Sequence, residues 1–306
     1  MNHAFGIIIL GLLIVTAFFA LYKAPQFLED FGFQFNSATS TRAKLSNLPP
    51  PPPSTSPSSP PSNSGQAPPP PRFYGQIPAG FTEKDLSLYF DKINIGWISP
   101  LRDYFGAGSS YSEINLYSNL NQNEQINITN WQVKSNKDSF LIPQAVSVYN
   151  PPLVSQGEDI LLRSGDRVRL FSHQAPFLIN LKLNKCTGYL KRFTPELPQN
   201  CPWINQSEIA TFSGQCQSYI LELGSCQIPI HNPPVPTNDT GCFDFLSKLN
   251  YAGCFLEHHR DANFLSNEWR IWLGNFSQAQ RNIFDPLHDR VLLFDKAHKL
   301  VDEYIY

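Results

Sequence analysis

Six cysteines, Cys186, Cys201, Cys216, Cys226, Cys242 and Cys254, offer the most chemistry in this chain, and no cysteine lies outside that stretch. Structural zinc sites bring thiolates as close pairs, about two to four residues apart, so that one turn presents both. Here the nearest neighbours, Cys216 and Cys226, are ten positions apart. The spacing therefore predicts three disulfides, and with them an oxidising compartment. Which cysteine pairs with which stays open, because spacing does not choose among the pairings. The need for bridges is physical: the segment around them, about 80 residues rich in Cys, Pro and Asn, has few large apolar residues. Each closed loop stabilises such a segment by about 2–4 kcal/mol.

The densest polar cluster is His258-His259-Arg260-Asp261. Adjacent residues of a helix or strand do not share a face, so the two imidazoles are poorly placed to chelate one ion. A solvated or loop-pinning role is expected; the rival is an envelope hydrolase using His258, His259 and Asp261. No G-x-S-x-G elbow is present, which leaves a serine hydrolase without its nucleophile turn. Phe105-Gly106-Ala107-Gly108-Ser109 lacks the third glycine and the Lys-Ser/Thr ending of a phosphate loop. The sequence thus predicts a non-enzyme, with no catalytic residue, cofactor or metal. Sequons at Asn127, Asn205, Asn238 and Asn275 are near chance in so Asn-rich a chain. Trp97, Trp131, Trp203, Trp269 and Trp272 could form a carbohydrate platform. Trp131 and Trp269 fall on inward-facing parities, whereas Trp272 alternates with Ile271 and points outward. Trp272, His258 and His259 are the expected contact surface.

Three pieces must position these groups. Ala4 to Tyr22 is uncharged and closed by Lys23; at about 1.5 Å per residue it nearly spans a bilayer core. No basic residue precedes it and Phe18, Phe19 and Tyr22 stand where a cleavage site would need small residues, so residues 1–23 read as an uncleaved single-span anchor. Residues 24–80 form a linker whose centre, Pro49 to Pro71, is nearly all Pro and Ser. Such sequence favours extended polyproline II and reaches on the order of 70 Å, a stalk rather than an SH3 or WW ligand. Basic residues follow the span, which alone would keep the rest cytoplasmic; the cysteines argue for the extracytoplasmic side, and that location is the expectation.

Residues 81–306 read as globular and mainly β. Ile93, Ile95 and Trp97 alternate, as do Ile114 and Leu116, and Ile126 and Ile128. Trp131 and Val133 continue on the opposite parity, which predicts a β-bulge at Asn130. Ile160 and Leu162 lead through Ser164-Gly165-Asp166 to Val168 and Leu170, a predicted hairpin. Ile179, Leu181 and Leu183, then WRIWLG from Trp269, DRVLLFD from Asp289 and KLVDEYIY ending at Tyr306 complete the strand signals. About nine short strands without alternating helices predict a sandwich. An insertion at about 185–267 interrupts it, with one helix in GCFDFLSKLN capped by Thr240.

The segments EINLYSNLNQNEQINITNWQVKS (Glu113 to Ser135), the Ile142-Pro143 pair, DILLRSGDRVRLFS (Asp159 to Ser172), WRIWLG and DRVLLFDKAHKLVDEYIY, in that order, resemble the lamin tail domain family. The resemblance covers 90–184 and 267–306, about half of the chain. It departs from the family in the cysteine-bearing insertion and in Lys296-Ala297-His298, where a Gly-containing turn is usual. It implies an immunoglobulin-like β-sandwich and a non-catalytic module that holds proteins, nucleic acid or envelope components. It supplies no catalytic residues, and fold alone does not fix function.

Charge narrows the partners. Lys and Arg total 23 against 25 Asp and Glu, a net charge of -2, which gives no bulk attraction for a phosphate backbone. The expected protein is a membrane-anchored surface module that contacts protein or an envelope polymer, with nucleic acid disfavoured.

Overall fold

The computed structural model describes residues 76–104, 109–150, 156–174, 179–274 and 283–306. The expected anchor and the proline-rich stretch lie outside the described residues, and among the described residues no helix is long and apolar enough to cross a membrane. The strands are β1 (Ile93–Tyr104), β2 (Ser109–Ser118), β3 (Ile126–Asn127), β4 (Gln132–Lys134), β5 (Ser139–Leu141) and β6 (Leu161–Leu162). They continue with β7 (Arg167–Gln174), β8 (Leu181–Asn184), β9 (Leu265–Gly274), β10 (Arg290–Phe294) and β11 (Leu300–Ile305). A five-stranded sheet has the order β1-β2-β7-β9-β8, a four-stranded sheet the order β11-β10-β4-β5, and β3 pairs with β6.

Alternation explains the core. Ile114 and Leu116 of β2, Val168 and Leu170 of β7, and Trp269 and Ile271 of β9 turn one face of the large sheet inward. Val133, Val291, Leu293 and Val301 meet them from the four-stranded sheet, with Trp131 between. The arrangement is sandwich-like and mostly β. Full burial of each such side chain contributes about 1.5–3 kcal/mol.

The chain departs from simple alternation at three places. A register shift between Ile95 and Trp97 makes Gly96 the extra residue of a bulge, which reverses the parity beyond it. Ile98 then packs against the core, while Trp97 leaves the predicted Ile93–Ile95 face and lies under the Arg169 guanidinium. The parity change at Asn130 is not a bulge. Asn130 sits in the left-handed region (φ 62°), which Asn tolerates better than most residues, and the turn carries the chain from β3 to β4 in a different sheet. Nor do the segments around Gly165 form a hairpin. The turn exists, with Gly165 at φ 77° and Asp166 Oδ2 accepting from Arg163 N at 3.0 Å, but β6 pairs with β3 and β7 with β2 and β9. A turn signal reports a reversal, not which strands then pair.

β10 and β11 form the closing antiparallel hairpin. Where glycine would be usual, His298 takes φ 55°, and Asp295 Oδ1 accepts from Ala297 N and Lys299 N at 2.8 and 2.9 Å. On β11, Asp302 Oδ2 accepts from Ile95 N at 2.6 Å, tying the two sheets together at the β1 bulge. Burial pushes the Asp302 carboxyl up to about 6. A carboxyl whose folded pKa is raised favours folding most below its unfolded value, and that contribution is lost as pH rises through about 6. Asp302→Asn keeps an acceptor for Ile95 N without the buried charge. Thermal unfolding should show the variant more stable than the parent at pH 7.5 and level with it at pH 4; equal melting temperatures at both would refute the assignment.

Candidate functional site

β8 and β9 are antiparallel neighbours, yet the chain between them makes a long helical excursion. It holds a 3-10 turn (Thr187–Leu190) and helices α1 (Gln206–Ile209), α2 (Gly214–Leu223), α3 (Thr240–Ser247) and α4 (Tyr251–His258). Each helix start has a side-chain cap: Asn205, Ser213, Asp239 and Asn250 accept from Ser207 N, Cys216 N, Cys242 N and Gly253 N. The helix read from GCFDFLSKLN is therefore capped by Asp239, and Thr240 is its first residue, because the carboxylate reaches the N–H three positions on.

The cysteines form three bridges, Cys186–Cys254, Cys201–Cys226 and Cys216–Cys242. Cys216 and Cys242 lie in a small cluster with Ile209, Ile220, Leu246 and Leu249, the thin interior expected of this segment. Among the described residues, one trio of ligand-type side chains comes close together: Cys216, Asp239 and Cys242. Its sulfurs are bonded to each other, and the Asp239 oxygens accept from Ser213 N and Cys242 N.

The excursion folds back over the outer face of the five-stranded sheet. There Tyr111, Phe171, Leu181 and Trp272 of the sheet pack with Tyr189, Leu190, Tyr251 and Phe264 of the excursion. Trp272 does point away from the sandwich interior, as its parity requires. It is nevertheless only 3% exposed, stacked on Phe171 at 5.5 Å between ring centres, so the excursion removes it from the contact surface. Tyr251 donates to Tyr149 O at 2.7 Å and accepts from Asn184 Nδ2 at 2.9 Å, and burial raises its phenol well above the usual value. Tyr189 is pushed up to about 12, by burial first and then by the nearby Glu257 charge.

Charges also lie in this interface. The Glu113 side chain, 0% exposed, pairs with Arg169, and Arg270 pairs with Glu268. Arg270 Nε donates to Glu196 O at 3.2 Å, and His173 Nε2 lies 3.0 Å from Glu196 Oε1. Burial draws the Arg270 guanidinium below the usual arginine value, with Glu268 opposing. The loop bearing Glu196 is thereby pinned to the sheet by polar as well as apolar contacts.

His258 and His259 serve different partners. His258 Nδ1 is 3.1 Å from Asp261 Oδ2, which accepts from Lys185 Nζ at 2.8 Å. The Lys185 hydrogen bond, then that of His258, holds the Asp261 carboxyl below its ordinary value. His259 Nδ1 is 2.9 Å from Phe255 O, with its ring flat on Phe255. The two imidazoles are not brought to one point.

The outermost ring of the excursion is Trp203, 89% exposed. It sits two residues from Cys201, in a loop held by the half-buried Cys201–Cys226 bridge. Trp203 forms a ridge between two depressions, one of about 190 Å³ with Gln206, Leu221 and Gln227, the other of about 100 Å³ with Glu208, Lys248, Glu257 and His258. Beyond Cys226 and Gln227, which line both, a larger depression of about 540 Å³ is lined by Lys191, Arg192, Phe193, Gln199 and Ile228. Of the expected contact residues, His258 lines the smaller depression, and the highly exposed tryptophan is Trp203 rather than Trp272. Its signal in the sequence was its setting, between Pro202 and the Asn205 cap with no alternating apolar neighbours, so that no strand or helix face claims it.

No family model, curated protein or solved structure matches this chain.

Proposed function

We propose that this chain is a non-enzymatic envelope protein that displays a lamin-tail-like, immunoglobulin-like sandwich outside the membrane, on an N-terminal anchor and a proline-rich stalk. The disulfide-stapled excursion is its contact surface. One observation carries the reading: an indole that is 89% exposed on a loop fixed by a disulfide. Rigid loops on a packed scaffold are where binding residues concentrate. The three bridges favour an oxidising location. The order of segments that resemble the lamin tail pattern is what supports the family reading.

Protease added to intact cells that express the full chain tests the location. The expected result is loss of the globular part while a cytoplasmic marker survives. Full protection until the cells are lysed would overturn the proposal.

A further inference from the structure

We propose that Asn205 carries an N-linked glycan and that its first sugar, an N-acetylhexosamine, lies on the face of Trp203. The proposal rests on the reading of the globular part as lying outside the membrane, where sequons are modified, and names what the exposed indole holds.

The number of sequons decides nothing, so their settings must. Asn127 is engaged at both ends of its amide: Nδ2 donates to Asp159 Oδ2 at 2.6 Å and Oδ1 accepts from Thr129 N at 3.0 Å. Thr129, which supplies the hydroxyl of that sequon, is fully buried and accepts from Ile160 N at 2.7 Å. Asn238 is exposed, but two places before it stands Pro236, which offers a sugar no aromatic face. Asn275 lies outside the described residues.

Asn205 is set differently. Its side chain and that of Ser207 are both exposed. Oδ1 accepts from Ser207 N at 3.2 Å, while Nδ2 has no acceptor among the described residues. The backbone at Asn205 is extended, with φ -81° and ψ 133°, and Ile204 turns inward onto the cluster around Cys216 and Cys242. Alternate side chains of an extended segment share a side, so Trp203 and Asn205 face solvent together, about 6.5 Å apart along the backbone. Both are held in place, the indole by the nearby Cys201–Cys226 bridge and the asparagine by capping α1. The face of an indole carries negative potential, which complements the polarised C–H bonds on the flat side of a pyranose. A sugar on Nδ2 therefore meets a ring already positioned to receive it.

The donor is a lipid-diphosphate-linked oligosaccharide. Nδ2 forms its bond to C1 of the first sugar as the bond from C1 to the diphosphate oxygen breaks. The diphosphate leaves with the electron pair, and a base of the transferase takes one amide proton.

The test expresses the full chain in eukaryotic cells, whose secretory membrane supplies both transferase and donor. Glycopeptide mapping should find sugar on Asn205. Ser207→Ala should abolish it and leave the Asn205 cap intact, because that cap receives a backbone N–H. The parent should melt about 2–4 °C above Ser207→Ala, whereas in a Trp203→Ala background Ser207→Ala should change nothing. Trp203 and Ser207 are both exposed, so these variants spare the core. An unmodified Asn205, or a Ser207→Ala effect that is the same with and without Trp203, would overturn the proposal. A chain that external protease reaches but that bears no sugar on Asn205 loses this modification alone. One that protease cannot reach loses the display reading itself.

Discussion

Replacing Cys186 and Cys254 together by serine is expected to destabilise the excursion by about 4 kcal/mol, the entropy of closing its 68-residue loop in the unfolded chain. The other two bridges span 25 and 26 residues and close loops inside the excursion. Cys186–Cys254 differs in kind, because it joins the chain just after β8 to α4 in the layer that covers Phe171 and Trp272. Hydrogen exchange read by mass spectrometry should show amides of residues 185–264 losing protection while β10 and β11 retain theirs. Uniform loss across both regions would mean that the sandwich depends on the excursion for its own stability.

Arg169→Met is expected to cost about 1.5–3 kcal/mol, the loss of one charge-assisted contact to a buried carboxylate. Glu113 is fully buried, Arg169 pairs with it and Arg270 also feels its charge, so the substitution takes one of the cations away from a carboxylate held out of water. Guanidinium chloride unfolding gives the number. The double variant Arg169→Met/Glu113→Gln should recover part of the loss, because the buried charge that faced the missing guanidinium has gone. If the double variant is as unstable as the single one, the cost lies in packing around Trp97 and Phe171, which the Arg169 guanidinium overlies, and not in charge.

Much of the sandwich could be read from periodicity, because alternation is a local consequence of burying one face of a strand. Ile114, Leu116, Val168, Leu170 and Ile271 were all legible for that reason. The bridged state of the cysteines was legible too, from spacing that suits no metal. What sequence could not show was anything decided at long range. Gly165 marks a reversal, but β6 and β7 take partners some 35 to 100 residues away. Trp272 looks solvent-facing from its neighbours alone, and the cover that buries it comes from residues well before it in the chain, Tyr189 and Tyr251 among them. Trp203 is the reverse case: its setting between Pro202 and the Asn205 cap assigns it to no strand or helix face, which marks it as outside a core but does not place it on a surface ridge.

β9 lies between β7 and β8, parallel to the first and antiparallel to the second. The strand that fills the slot between β7 and β8 is thus made after both of them, and after all six cysteines. A growing or translocating chain that has not yet delivered Leu265–Gly274 holds β7 and β8 with a vacant slot between them, each offering backbone donors and acceptors to stray partners. Correct thiol pairing must accompany or precede that late closure. Chaperone and oxidoreductase demand during biogenesis should therefore peak at one moment, just before the keystone strand slides home.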